Sequence, residues 1–169
     1  MSRQAQTVLD DEFDDAETPQ DAAQGGTERA RPIPRISIQA FCDDQRTAEV
    51  LQYAAEDRRL SKAHVSVHMG GIGAAIAHYV DSPTPNLIIV DSALKGAQLV
   101  HELDTLAESC DPGTRVIVVG RHNDVLLYRE LLKRGVSEYL VTPVEPLAMM
   151  ESISNLYNNP DTDPVGHVF

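Results

Sequence analysis

Residues 86–91 read Asn-Leu-Ile-Ile-Val-Asp, and this short run decides the fold. Four consecutive branched apolar residues without polar alternation are typical of a strand covered on both faces, as in a parallel sheet. The stretch 86–90 is therefore predicted to be a buried strand, with Asp91 at its carboxyl end. Four further runs of similar length lie around it, at 36–42, 64–69, 115–120 and 138–144.

Between these runs, apolar residues recur with the spacing of a helix. A fourth helical stretch is predicted to begin at an Asn123 cap and to end at a left-handed Gly135, and a fifth opens at Pro146. Five alternations of strand and helix imply right-handed crossovers, and they predict a doubly wound α/β domain with a five-stranded parallel sheet. The first three helical stretches are at 47–59, 72–80 and 97–108.

The chain is strongly acidic, and the acidity is unevenly spread. Its 169 residues carry 26 acidic and 14 basic side chains, so the net charge is −12. A nucleic-acid-binding protein needs clustered cations to neutralise phosphates, so we expect no nucleic-acid partner. Residues 1–30 hold eight acidic against two basic residues, and the segment 1–34 has too few large apolar residues to form a core. We expect a disordered acidic tail over 1–34 and one folded domain over 35–158.

Compartment is indicated by what the sequence lacks. No apolar run approaches the length of a membrane span, and the start is acidic where a signal peptide would be basic and then apolar. We therefore expect a cytoplasmic protein without membrane insertion. Cys42 and Cys110 have no zinc-ligand spacing and are predicted to be buried thiols rather than a disulfide.

Three aspartates follow predicted strands at the edge where parallel sheets bind ligands. Asp43 and Asp44 follow the first strand and Asp91 ends the third. If the three carboxylates converge they repel one another unless a cation lies among them, and their oxygens suit Mg²⁺. The alternative is that these acids cap helices or face water, and we expect no bound metal.

Three stretches around these aspartates carry a family resemblance. They are Ile36-Ser-Ile-Gln-Ala-Phe-Cys-Asp43-Asp44, Asn86-Leu-Ile-Ile-Val-Asp91-Ser and Gly135-Val-Ser-Glu-Tyr139-Leu-Val-Thr142-Pro143. Together they resemble the receiver domain of response regulators. The resemblance implies that Asp43 and Asp44 correspond to a magnesium-binding acidic pair, Asp91 to the phosphate-accepting aspartate, and Tyr139 to the aromatic residue that reports the phosphorylation state.

The sequence departs from that family at two positions. Thr142 stands where phosphorylated receivers have a lysine, and Gly120 stands where they have a hydroxyl side chain. Phosphorylated Asp91 would add about −1.5 to −2 charges without a fixed cation nearby. Arg121 or His122 could compensate, but a polar loop leading to the helix cap is the preferred interpretation. These departures predict a vestigial phosphoacceptor pocket in a pseudo-receiver without enzymatic activity or cofactor.

Five further stretches carry a more specific resemblance. They are Ala40-Phe-Cys, Ala63-His-Val-Ser-Val-His-Met-Gly-Gly-Ile, Pro83-Thr-Pro-Asn-Leu-Ile-Ile-Val, Cys110-Asp-Pro-Gly-Thr and Asn123-Asp-Val-Leu-Leu-Tyr-Arg-Glu-Leu. Together they resemble the N-terminal atypical receiver of the CpaE/TadZ proteins of Flp (Tad) pilus assembly. The resemblance implies partners among pilus-assembly or pole-localising proteins, a position at a cell pole, and self-association. It also implies that 159–169 is a linker toward an ATPase domain.

The interaction surface is expected on the fourth helix, the fifth strand and the fifth helix, which receivers use for dimers. Its candidate residues are Tyr128, Leu132 and Tyr139. The alternative is that these are ordinary core or solvated positions, because apolar stripes on helices mostly face the core.

Two other functions remain open from the sequence. The first is a working response regulator in which Asp91 accepts phosphate. The second is a nucleotide-binding enzyme at Gly71-Ile-Gly73, which is disfavoured because Ile76 stands where a dinucleotide fingerprint needs a small residue. His64 and His68 lie four residues apart on one predicted strand, about 13 Å, which is too far to share a metal ion.

Overall fold

A computed structural model describes residues 33–158, which form five parallel strands and five helices. The strand order is β2-β1-β3-β4-β5, so β3 lies at the centre and β2 and β5 at the edges. This order and the helices on both faces confirm the predicted doubly wound sheet. The strands are β1 (Ser37–Cys42), β2 (His64–Met69), β3 (Leu87–Asp91), β4 (Arg115–Gly120) and β5 (Glu138–Val141).

The helices cover the two faces of the sheet unequally. Two of them, the first and the last, pack on one face, and the other three pack on the opposite face. A short 3-10 helix at Arg58–Leu60 leads from the first helix toward β2. The helices are α1 (Gln45–Ala55), α2 (Gly71–His78), α3 (Gly96–Ala107), α4 (Val125–Lys133) and α5 (Pro146–Asn158).

The central strand explains why the run at 87–91 is continuously apolar. Every residue of β3 is buried. Leu87 and Ile89 point into the core beneath α1 and α5, whereas Ile88 and Val90 point into the core beneath α2, α3 and α4. Because successive side chains of a strand point to opposite faces, a strand between two helical layers has no polar face.

Several predicted boundaries need correction. The first helix begins at Gln45 rather than at residue 47, because the side chain of Asp44 accepts a hydrogen bond from the Arg46 amide and caps it. It ends at Ala55, before the separate 3-10 helix. The cap of α4 is Asp124 and not Asn123, since the Asp124 carboxylate accepts from two first-turn amides.

The fifth strand is also shorter than predicted, ending at Val141 rather than at residue 144. Two residues later Pro143 brings a backbone nitrogen that cannot donate to a ladder, which limits strand pairing there. The predicted glycine at the end of α4 is confirmed, because Gly135 has φ +104°, in the region that favours glycine.

The predicted ends of the chain fall largely outside the described residues. The tail over 1–34 does so except for Ile33 and Pro34, and the linker over 159–169 does so completely. Ile33 is buried in the core, and its amide donates to the Arg59 carbonyl. Between residues 33 and 158, no helix combines the length and the apolar character that crossing a membrane requires.

Candidate functional site

The candidate site lies where three neighbouring strands end. Because β1, β3 and β4 are adjacent and parallel, their carboxyl ends bring the Asp43-Asp44 pair, Asp91 and Arg121 to one edge of the sheet. This is the edge where open α/β sheets bind ligands. The predicted grouping of the aspartates is therefore present in the backbone, and the contacts between the side chains decide its chemistry.

Asp91 has no exposed surface, and both of its carboxylate oxygens are occupied. Its Oδ2 accepts hydrogen bonds of 2.9 Å from the backbone amides of Asp43 and Asp44. Its Oδ1 accepts from Nη1 of Arg121 at 2.5 Å, in an ion pair. The main chain of the acidic pair, rather than its carboxylates, thus faces Asp91.

Arg121 corrects the interpretation of this segment as a simple polar loop. Its side chain is 24% exposed and is fixed against Asp91, thirty residues away in the sequence. The hydrogen bond with Asp91, with added attraction from the aspartate charges, raises the pKa of Arg121. A fixed cation is therefore present beside Asp91, although it comes from the loop after β4 and not from the position of Thr142.

The carboxylates of the acidic pair have separate surroundings. The side chain of Asp44 caps α1, and Asp43 is exposed to solvent. Within residues 33–158, no group of three His, Cys, Asp or Glu side chains is arranged to hold a metal ion. The acidic pair therefore supports Asp91 through its amides and the first turn of α1 through one carboxylate.

Gly120 is explained by the ring of Tyr139. A Cβ atom added at Gly120 would lie 2.7 Å from Cε1 and 2.8 Å from Cζ of that ring, closer than real contacts allow. Tyr139 is only 6% exposed, its hydroxyl donates to the His122 carbonyl at 2.8 Å, and burial raises its pKa. The space that a hydroxyl side chain would take at this position is therefore filled by Tyr139.

The three candidate interaction residues differ in exposure. Tyr128 and Leu132 lie on α4 and are 37% and 36% exposed, whereas Tyr139 lies beneath them. The rings of Tyr128 and Tyr139 meet edge to face with centroids 6.5 Å apart. Two neighbouring residues that the sequence reasoning missed, Val125 and Leu126, are 61% and 76% exposed. The sequence could have indicated that these two residues are exposed, because both lie outside the buried stripe of α4, which is formed by Leu127 and Leu131.

Thr142 borders a cleft of about 280 Å³ beside the Asp91–Arg121 pair. The cleft lies between the first turns of α1 and the loop that joins β5 to α5. Part of its lining lies at the ends of predicted strands and could be anticipated from the sequence, whereas the residues of α1 could not. The lining residues are Asp44, Arg46, Thr47, Val50, Arg121, Thr142, Pro143 and Val144.

The glycines at 71–73 form the turn into α2. Gly71 has φ +63°, and a Cβ atom there would lie 3.1 Å from the Asp91 carbonyl oxygen and 3.3 Å from Cβ of Asp43. A larger residue would be strained in that conformation and pressed against the acidic loop. The turn therefore packs against the candidate site instead of opening into a phosphate-sized space.

The histidines and cysteines have packing surroundings. His68 stacks on Phe41 with ring centroids 5.0 Å apart and lies 6.1 Å from the ring of His78. Cys42 and Cys110 are free thiols, and Cys42 is buried as predicted, whereas Cys110 is only half-buried. Burial, reinforced by Asp91 and Asp44, raises the pKa of Cys42 to about 12, so this thiol stays protonated beside the site at neutral pH.

Comparison with solved structures gives close relatives over the folded domain. The pilus assembly protein CpaE from Caulobacter crescentus is 49% identical, with a TM-score of 0.74, and the match covers 75% of this chain and 97% of the other. CpaE2 from Sinorhizobium meliloti is 44% identical, with a TM-score of 0.68 over 69% of this chain and 96% of the other.

More distant structures share the fold alone. The CheY-like receiver domain of a response regulator from Methanospirillum hungatei is 19% identical, with a TM-score of 0.58 over 74% of this chain and 95% of the other. No protein-family model and no curated protein gives a match. The described domain thus has the fold of CheY-like receiver domains, and on the strength of the two relatives above, the chain belongs to the CpaE family of pilus assembly proteins.

Proposed function

We propose that this domain is a pseudo-receiver, which serves as a protein-interaction and localisation module in pilus assembly and is not phosphorylated. The observation that carries the proposal is the closed environment of Asp91. The carboxylate is fully buried, Arg121 occupies one oxygen, and two backbone amides occupy the other. A phosphoacceptor needs a free oxygen that an incoming phosphorus atom can reach.

Two further features support the same conclusion. Thr142 offers no cation to a phosphoryl group, and Gly120 offers no hydroxyl, its side-chain space being filled by Tyr139. The Arg121 side chain would also have to leave Asp91 before phosphate could enter. The ion pair with Arg121 therefore stands between Asp91 and a phosphodonor, which supports the proposal.

The absence of phosphorylation is tested with a small phosphodonor and with beryllofluoride, followed by intact-mass measurement and NMR. We expect no mass increase and no shift of the Asp91 amide, and a phosphorylatable receiver serves as the positive control. Asp91→Asn serves as the blank. A modified Asp91, or a beryllofluoride shift absent from the Asp91→Asn variant, would support the alternative of a working response regulator.

The proposed interaction surface is the exposed part of α4. Four apolar residues there, Val125, Leu126, Tyr128 and Leu132, keep between 36% and 76% of their surface exposed. Tyr139 supports Tyr128 from below and does not itself reach the surface. We propose that this surface mediates self-association and contact with pilus-assembly or pole-localising proteins.

Self-association is tested by sedimentation velocity over a range of concentrations. Leu132→Glu places a charge on the proposed surface and should weaken the dimer by about tenfold or more, as a buried unpaired charge costs several kcal/mol. Val80→Glu is the matched control, because Val80 is 71% exposed and lies after α2. A protein that stays monomeric at high concentration would contradict the proposal.

Localisation is tested with a fluorescent fusion of the full chain in a piliated host. We expect a focus at the cell pole that Leu132→Glu disperses and Val80→Glu retains. A uniform distribution of the unmodified fusion through the cytoplasm would contradict polar localisation.

A further inference from the structure

The cleft beside the Asp91–Arg121 pair has no part in the proposed interaction surface. Its volume is about 280 Å³, just below the range of roughly 300–1,000 Å³ typical of pockets for whole organic ligands. It therefore suits a compact chemical group rather than a nucleotide. Val50, Pro143 and Val144 contribute apolar lining to the cleft.

Thr47 gives the first sign that the cleft receives a ligand. The residue is only 4% exposed, yet its hydroxyl forms no hydrogen bond with any other residue of the described range 33–158. In that range no side-chain polar atom is both fully buried and unpaired, so the Thr47 hydroxyl keeps some accessible surface, and the residue lines the cleft. A ligand in the cleft would supply the hydrogen-bond partner that a hydroxyl on so buried a residue normally has.

The polar groups around the cleft are mostly donors. Of the five N–H donors of Arg121, one bonds to Asp91, and Arg46 forms no ion pair with another residue of the described range. The first turn of α1 adds backbone N–H groups without helical partners and the positive end of the helix dipole. Thr142 contributes a second hydroxyl.

Two carboxylates near the cleft carry negative charge. Asp91 is paired with Arg121 and two backbone amides, whereas Asp44 uses one oxygen to accept from the Arg46 amide as the helix cap and keeps its charge. The Arg46 guanidinium, the remaining N–H groups of Arg121 and the two hydroxyls still outnumber the free acceptors, and these donors favour a ligand rich in acceptors.

We propose that this cleft binds a compact oxyanion, a phosphate or carboxylate group, without covalent modification of Asp91. Thr47 and Thr142 donate through their hydroxyls, and Arg46 and Arg121 donate through their guanidinium groups. The apolar lining residues contact the carbon atoms of an organic anion. This binding does not depend on self-association and requires no phosphoryl transfer.

The test is an NMR titration of the full 169-residue chain with inorganic phosphate, at constant ionic strength maintained with chloride. We expect saturable shifts of the amides at 45–47, 121 and 142. A second titration with acetate separates the two sources of the oxyanion. Tighter phosphate binding indicates a phosphate-bearing ligand, and tighter acetate binding indicates a carboxylate.

Two variants locate the site. Thr47→Val keeps the shape of the side chain and should weaken phosphate binding about tenfold, because a hydrogen bond to a charged group contributes roughly 1.5–3 kcal/mol. Arg46→Gln should weaken phosphate binding by a similar factor. Because Arg46 is exposed, we expect this substitution to leave the fold intact. The matched controls are Thr105→Val, whose hydroxyl bonds to the His101 carbonyl in α3, and Arg58→Gln in the 3-10 helix.

The outcomes are distinct. Saturable shifts that both cleft variants weaken and both controls retain support the proposal. Shifts that never saturate, that chloride alone reproduces, or that persist unchanged in Thr47→Val and Arg46→Gln overturn it. Any of these results leaves the beryllofluoride and sedimentation experiments unaffected, so a failure here is separable from a failure of the pseudo-receiver proposal.

Discussion

A buried charge such as that of Asp91 loses its hydration, at a cost of several kcal/mol. The pair with Arg121 and the two backbone amides offset that cost, so the carboxylate depends on partners from two different loops. Removing one partner should expose this dependence, because the remaining charge stays buried.

Arg121→Met should lower the free energy of unfolding by about 3 kcal/mol or more, because it leaves Asp91 buried and unpaired. Urea denaturation measures the change. Adding Asp91→Asn to Arg121→Met should recover part of the loss, since the neutral amide oxygen still accepts from the backbone amides. Equal stability of Arg121→Met and the unmodified protein would show that the pair contributes nothing.

Gly120→Ala should lower the free energy of unfolding by about 1–3 kcal/mol, the usual cost of overpacking, and displace the ring of Tyr139. Denaturation and the NMR signals of the Tyr139 ring report the two effects. Gly73→Ala is the control, because a Cβ atom there meets nothing within 4 Å and should stabilise α2 by about 0.5–1 kcal/mol. An unshifted Tyr139 ring in Gly120→Ala would contradict this account.

At single positions, the sequence predicted where a residue lies in the fold better than it predicted which side chains that residue contacts. Asp91 and the Asp43-Asp44 pair could be placed at one edge because strand ends follow from the apolar runs. The pairing of Arg121 with Asp91 could not be predicted, because it joins residues thirty positions apart and no local pattern marks it. The inward position of Tyr139 could not be predicted either, because it depends on the space that Gly120 leaves. Gly120 lies in β4 and Tyr139 in the neighbouring β5, so the pairing of the two strands had to be known first.

At the scale of elements, the inner strands β3 and β4 were predicted closely because burial on both faces leaves an unbroken apolar run. β4 begins and ends at the predicted residues, and so does the edge strand β2, although no residue of β2 is fully buried. Helix starts were less certain, since a capping side chain and its neighbour have similar chemistry. Asn123 and Asp124 can both accept hydrogen bonds, and only the backbone conformation selects Asp124.

The correction at α4 leads to a paired prediction. Asp124→Ala should lower the free energy of unfolding by about 1 kcal/mol, because two first-turn amides lose their acceptor. Asn123→Ala should change it by less than about 0.5 kcal/mol, as expected of an exposed surface position. Thermal and urea denaturation measure both. A larger loss of stability in Asn123→Ala than in Asp124→Ala would contradict the assignment of Asp124 as the cap.

At the scale of the whole molecule, we expect the free energy of unfolding to vary with pH, because the thiol of Cys42 is buried and that of Cys110 is partly buried. Burial raises the pKa of Cys42 to about 12 and of Cys110 to about 11, above the usual 9.0. Below pH 9 both states keep the protons, and above it the unfolded chain loses them first, so stability should fall as pH rises through 9 toward 11. Melting temperatures between pH 7 and 10.5 test this.

The control for the pH series is the Cys42→Ala/Cys110→Ala double variant. Tyr157 also has a pKa raised by burial, to about 12, so the variant should flatten the decline without abolishing it. A decline of the same steepness in the double variant would assign the alkaline loss to other groups.

Asn86 joins the beginning and the end of the described domain. Its Oδ1 accepts from the Ser37 amide at 2.8 Å, and its carbonyl accepts from the Tyr157 hydroxyl at 3.0 Å. The start of β1 and the last turn of α5 are therefore close to each other. A flexible linker between these two elements would close the domain into a circle, and new ends opened at the exposed Pro112-Gly113 turn would leave the edge that carries Asp91 intact. We expect such a circular permutant to recover the same sheet order.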